Sequence, residues 1–199
     1  MNIGTEPEIG QKETQRAARN REKLAELYPH FADSVRPILS ELEAAGFRPR
    51  IQVAWRSPEE ELKAYKAGIS QSVHGMHGIS GRLNQPESLA ADVVENDDPD
   101  AIRIPFALQL ASSAQAHSCQ TGILMGLPHN LAEAVTAAIA RGDWGARVKL
   151  GWNPLHVQAA GLSLGEARAG KRPGGAPAGT TPPRAGSGHE PAGVRPLRP

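Results

Sequence analysis

Cysteine is nearly absent. Cys119 stands alone among 199 residues, which excludes an internal disulfide framework and fits a reduced compartment or a protein that does without bridges outside the cell. Long hydrophobic runs are missing as well, and nothing approaches the roughly 18 consecutive apolar residues of a membrane span. The opening MNIGTEPEIG has neither the basic stretch nor the apolar core of a secretory leader. Aromatic residues are 4% of the chain, too few and too scattered for a base-stacking platform. Neither sign of charge dominates: 22 Lys and Arg against 21 Asp and Glu leave a net charge of +1. No global field therefore draws the chain to nucleic acid or to an acidic surface. There is no phosphate-cradling glycine loop and no internal repeat.

What remains is enough for one domain with a real core, in three zones. Residues 1–10 are polar and expected to be a flexible N-terminus, residues 11–160 carry periodic hydrophobic patterns, and residues 161–199 form a tail. That tail has 9 Gly and 7 Pro among 39 residues, too little apolar surface to offset the entropy of ordering, so it reads as disordered. Its 6 Lys or Arg against 2 Glu allow a weak attraction to anionic envelope polymers, although a plain solvated tail is the simpler reading.

In the middle zone QKETQRAARNREKLAELY reads as a helix. FADSVRPILSELEAAGF is a second, with Val35, Ile38, Leu39 and Leu42 as its apolar stripe, Pro37 expected to kink or shorten it, and Gly46 ending it. RIQVAW is a strand. SPEEELKAYKAG is a short helix with Ser57 as cap, Pro58 at the first position and acidic residues in the first turn. SLAADVVE and LHVQAA read as strands, TGILMGL as a strand or turn, VKLGW as a strand piece, and IPFALQLASSAQAH and HNLAEAVTAAIARG as helices. Helices interleaved with short strands, without a repeated βαβ spacing, predict an α+β fold with a small, mainly antiparallel sheet.

The chemistry-bearing residues are few. SVHGMHG carries His74 and His77; Asp92 sits in an apolar strand between Ala91 and Val93; His156 follows in GWNPLHVQ. An aspartate facing inward in such a strand needs a cation or several hydrogen bonds, and a catalytic zinc takes three ligands of these types while keeping a fourth position open. The alternative is a polar loop followed by a strand whose aspartate faces solvent. His77 is an alternate ligand if its segment is helical, although Gly75 and Gly78 argue against a helix. His30 and His129 read as turn or helix-start residues, His117 as a helix-end residue and His189 as part of the tail. Trp55, Trp144 and Trp152 read as core or cleft wall. No base in sequence context supports a Ser-His-Asp triad.

The combination of SVHG, SLAADVV and GWNPLHVQ resembles the zinc D-Ala-D-Ala carboxypeptidases of the VanY type and the related phage L-alanyl-D-glutamate endopeptidases. The likeness extends upstream through LEAAGFRPRIQVAWRSPEEELKAYKAGIS and covers roughly residues 30–158. It implies the fold shared by Hedgehog and DD-peptidases, Zn2+ as cofactor, His74, Asp92 and His156 as metal ligands, and a peptidoglycan stem peptide as substrate. By the same resemblance, water activated by zinc attacks a carbonyl beside a D-amino acid. Arg56 stabilises the oxyanion and holds substrate, and Ser72 positions substrate or a ligand.

Two departures stand out. Seventeen residues, Gly75 to Ala91, separate His74 from Asp92, where the family's usual spacing is much shorter; Pro86 fits a longer variant, and loop lengthening has a small energetic cost. More seriously, the general-base position three residues before the last ligand, Glu or Asp in the family, is Asn153, whose amide accepts no proton at neutral pH. Three readings stay open: an Asp-to-Asn change introduced to trap an inactive form, a weakened natural relative that still binds its peptide, or another carboxylate, such as Asp143, in the same role. The expectation is thus a peptidoglycan peptidase with a compromised base or, alternatively, a silent cell-wall-binding domain. Without a leader, it would be made in the cytoplasm and reach the wall through phage lysis or a dedicated secretion machine.

Overall fold

The structure, a computed structural model, describes residues 6–174. The chain begins with two helices, α1 (Glu6–Ala25) and α2 (Pro29–Ala44). The first starts ahead of the expected residue 11 and is tied to the sheet by Asn20. The Asn20 amide donates to the Pro49 carbonyl at 3.0 Å and accepts from the Ile51 N–H at 2.8 Å. Along α2 the stripe of Val35, Ile38, Leu39 and Leu42 is buried as its spacing predicts. The helix runs from Pro29 to Ala44 with Pro37 inside it, so its start is not shortened as expected. The carbonyl that Pro37 cannot serve belongs to Asp33, an exposed residue where water can take its place. Gly46, with φ +88°, supplies the left-handed turn that ends the segment.

Four strands follow: β1 (Pro49–Val53), β2 (Ala90–Glu95), β3 (Cys119–Gly122) and β4 (Asn153–Ala159). They form one sheet in the order β1-β2-β4-β3, every neighbour antiparallel. Between them lie α3 (Pro58–Lys66), α4 (Ile104–Ala116) and α5 (His129–Arg141), and α6 (Leu164–Arg168) comes last. The α+β class with a small antiparallel sheet is what the sequence led us to expect. The main core joins α2, the sheet and α4 through Phe31, Ile38, Ile51, Val93, Phe106 and Val157; a second cluster under α5 is built on Leu108, Ile123 and Val135. The VKLGW segment forms no strand before Asn153. Its Val148 and Leu150 instead pack irregularly against the second cluster. Among the described residues no helix is long and apolar enough to cross a membrane.

The first part of the tail is ordered, contrary to expectation. Leu162 and Ala167 are buried, Ser163 and Glu166 form a capping box on α6, and Arg172 is 4% exposed. Arg172 donates to Glu87 and to the carbonyls of Ser80 and Ala167, and its guanidinium lies 5.8 Å from the Tyr28 ring centroid. Lys171 pairs with Glu166. Of the tail's basic groups, Arg172 is therefore engaged inside the molecule and Lys171 in an ion pair at its surface. The expected disorder of residues 175–199 and the expected flexibility of residues 1–5 lie outside the described residues.

A His-Asp-His cluster in a cleft, candidate metal centre

Strand register builds most of the cluster. In the β2–β4 pair Asp92 stands directly opposite His156, and Ala91 opposite Val157. Side chains alternate across a sheet, so the core-facing Ala91, Val93 and Val157 leave Asp92, His156 and Gln158 on the other face. The third member arrives from the loop between α3 and β2. There Met76–Gly78 forms a single 3₁₀ turn, docked on the end of β1 by the Arg56 N–H to His77 carbonyl bond (3.2 Å) and by His77 Nδ1 against the Ala54 carbonyl (2.6 Å). Ser88 holds the same corner, its hydroxyl lying 2.7 Å from the Ala90 carbonyl oxygen and 3.0 Å from that of Ala54.

Three donor atoms face one another. His77 Nε2 is 3.2 Å from His156 Nδ1 and 3.3 Å from Asp92 Oδ1, and His156 Nδ1 is 3.0 Å from the same oxygen. The outer ring nitrogens are both held by oxygens: His77 Nδ1 by the Ala54 carbonyl and His156 Nε2 by Gln158 Oε1 at 3.1 Å. A carbonyl oxygen only accepts, so each outer nitrogen carries the proton, and in the neutral rings each inner nitrogen presents a lone pair. Two lone pairs and a carboxylate oxygen converging on one point repel unless something positive lies between them. Burial works against charge on Asp92, and the charge that His77 and His156 would carry when protonated, together with their hydrogen bonds, holds the carboxyl well below the usual carboxylate range; with neutral rings a bound cation would supply that charge instead.

This donor set fits a divalent cation. Bonds of about 2.0–2.1 Å in a tetrahedral arrangement put neighbouring donors about 3.3 Å apart, close to the three edges of the triangle. The outer-nitrogen bonds are of the kind that fix the tautomer of a ligating histidine. Charge agrees: the cleft wall carries one guanidinium, Arg56, against two carboxylates, Asp92 and Glu61. It is short of positive charge.

His74, the first ligand the motif implied, is not in this group. It is exposed, and Ser72 holds its backbone by a hydroxyl that accepts from the His74 N–H and donates to the His74 carbonyl. His77 takes the place instead. The glycines that argued against a helix permit a single 3₁₀ turn, which is enough to turn the ring inward. A usable signal was present: His77 lies between the apolar Met76 and Ile79, both buried, whereas His74 precedes Gly75.

The cluster sits in a cleft of about 400 Å³. Arg56, just beyond β1, donates to Asp92 Oδ2 at 2.9 Å. Its position is set from both sides, by the His77 carbonyl and by the capping box of Ser57 and Glu60 that starts α3. Ser72 and Asn153 line the cleft, and Ile69, Met125 and Trp152 give it apolar rims. Asn153 opens β4 opposite Gly122, where a Cβ would stand 2.1 Å from the Asn153 carbonyl oxygen; only glycine permits that approach. Asp143, weighed as an alternative base to Asn153, is exposed beyond α5 and is absent from the cleft lining.

No protein-family model matches the chain, and no curated protein matches it. Among solved structures, the fold is similar to the Serratia marcescens L-Ala D-Glu endopeptidase ChiX, at 16% sequence identity and a TM-score of 0.45, over 72% of this chain and 87% of that one.

Sequence reasoning also passed over Glu61. In the run Glu59-Glu60-Glu61 the third is on the buried side of α3 with Ala64, and it is 2% exposed at the cleft wall. Its spacing of three from Ala64 was the available signal.

Proposed function

We propose that the chain is a peptidase-type protein for peptidoglycan stem peptides, with a divalent cation, zinc by its donor set, held by His77, Asp92 and His156. The observation that carries the reading is the triangle of inward donors whose outer nitrogens are already fixed. The motif resemblance supports it, with His77 in the place that His74 was expected to fill.

A bound zinc would lower the pKa of a water and polarise a peptide carbonyl. The protein's own groups do the rest. Arg56, on the cleft wall beside the triangle, donates N–H groups toward an oxygen gaining negative charge. Ser72 and the rims of Ile69 and Trp152 border the space for an extended peptide. Asn153 can orient a water through its amide oxygen but cannot take its proton. With Asp143 remote and Glu61 enclosed, no carboxylate lining the cleft stands free to act as base. Turnover is therefore weak or absent while binding persists. That shortage favours, as the second reading, a cell-wall-binding domain on a peptidase scaffold. Delivery by phage lysis or a dedicated secretion machine belongs to the same proposal.

The test is digestion of purified peptidoglycan by the zinc-loaded protein and by its Asn153→Asp variant. Restoring a base should raise peptide release about 10²–10⁴-fold. A zinc-loaded, folded variant that releases nothing would overturn the peptidase reading, and retained binding to the polymer would then favour the second.

A further inference from the structure

Arg56 stands between two carboxylates that hold it unequally. Nη2 is 2.9 Å from Asp92 Oδ2, whereas Nη1 is 3.7 Å from Glu61 Oε1, beyond hydrogen-bonding reach. The Glu61 side chain is 2% exposed, and neither of its oxygens has a hydrogen-bond partner among the described residues. A buried carboxylate without donors is costly and rare. Helix capping does not explain it, since Ser57 and Glu60 complete that box without it. Packing alone does not ask for a charge there either: Gly75 and Gly78 close around the carboxylate, a hypothetical Cβ at Gly75 lying 3.4 Å from both oxygens.

Glu61 has one cation within a short movement, Arg56, and Arg56 is at present committed to Asp92. The other oxygen of Asp92 belongs to the donor triangle. A divalent cation there would draw on the Asp92 charge and repel the guanidinium beside it, while Glu61 offers an undivided charge on the opposite side. We propose that Glu61 is a positioning residue: when a divalent cation occupies the triangle, Arg56 moves from Asp92 onto Glu61, which satisfies the orphaned oxygens and leaves Asp92 to the metal. The inference rests on the cation-binding reading above. It gives the charge of Glu61 a role in cation affinity exerted through Arg56 rather than by contact with the ion.

Zinc affinity, measured by competition with a chromophoric chelator, should fall about tenfold or more in Glu61→Gln, the scale of one hydrogen bond to a charged group. In an Arg56→Gln background the same change should have a much smaller effect, because no guanidinium is left to be received. The zinc-loaded wild-type crystal structure should show an Arg56 Nη within hydrogen-bonding distance of Glu61 and withdrawn from Asp92 Oδ2. If wild type binds zinc but Glu61→Gln binds it equally well, or loses as much affinity without Arg56 as with it, the inference fails while the function stands. If wild type binds no zinc, both fall. Should Glu61→Gln not fold, the loaded wild-type structure decides, and Arg56 remaining on Asp92 with Glu61 unpaired overturns the inference.

Discussion

His77 Nε2 and His156 Nδ1 lie 3.2 Å apart, and an oxygen holds the far side of each ring. Residues 79 positions apart in the chain are thus fixed in the tautomers that leave both lone pairs pointing inward. The metal-binding consequence is residue-specific. Replacing His77 or His156 by Ala should reduce zinc affinity at least about a hundredfold, since even the loss of outer partners of such ligands costs 10–100-fold. His74→Ala should leave zinc content unchanged. Stoichiometry by elemental analysis after dialysis separates the cases, and zinc loss in the His74 variant would return that residue to the ligand set.

Arg56 is expected to act on the reaction more than on metal retention. In the Asn153→Asp background, Arg56→Ala should lower kcat by about 10²–10³ with zinc still stoichiometric at saturating metal. Metal loss at saturation would mean that Arg56 serves the architecture of the site instead.

Gly122 should tolerate no side chain. A Cβ there would meet the Asn153 carbonyl oxygen at 2.1 Å, so Gly122→Ala must push β3 away from β4 and is expected to destabilise the fold by about 3 kcal/mol. Gly10, with nothing within 4 Å of its hypothetical Cβ and a place inside α1, should behave oppositely, Gly10→Ala adding about 0.5–1 kcal/mol. Chemical denaturation of the two variants checks both signs.

A pH-dependent tie links α2 to the end of α4. Ser113 donates to Glu41 Oε2, and His117 Nε2 lies 2.6 Å from Oε1. The Ser113 hydroxyl first, and then His117, hold the Glu41 carboxyl below its ordinary value. A depressed carboxylate pKa means that the unfolded chain binds the proton more readily. The stabilisation is therefore present above the ordinary glutamate range near about pH 4.3 and is lost as pH falls through the lower folded value. The Glu41 side chain is half exposed, at 50%, so solvent screening limits the term to about 1 kcal/mol. Wild type should melt above Glu41→Gln at pH 6, the gap closing as pH drops toward 3; a gap that widens in acid would contradict this assignment.

The elements with strong local signals were legible in the sequence. The α2 stripe, the Ser57 cap of α3 and the β-branched strands read correctly because local spacing and capping decide them. The segments decided by tertiary contact did not. Pro37 sits inside a helix where the residue whose carbonyl it leaves unserved, Asp33, is exposed, and VKLGW packs as irregular chain on a core that its own pattern does not reveal. Arg172 is ordered by Glu87, a residue 85 positions earlier, which composition statistics for a Gly/Pro-rich stretch do not register. At the site, Asp92 was legible as a charge in an apolar strand and His156 through the motif resemblance, while the register that sets them opposite one another is a long-range fact. The choice of His77 over His74 depended on a three-residue 3₁₀ turn whose docking on Ala54 is a long-range fact. Glu61 was hidden in a run of three glutamates that reads as a solvated first turn.

The most direct test of the account is anomalous diffraction at the zinc edge from crystals of the wild-type protein grown with zinc. The account predicts a single strong peak at bonding distance, about 2.0–2.1 Å, from His77 Nε2, His156 Nδ1 and a carboxylate oxygen of Asp92. A triangle without a peak, or a zinc ion held by His74 elsewhere, would contradict it.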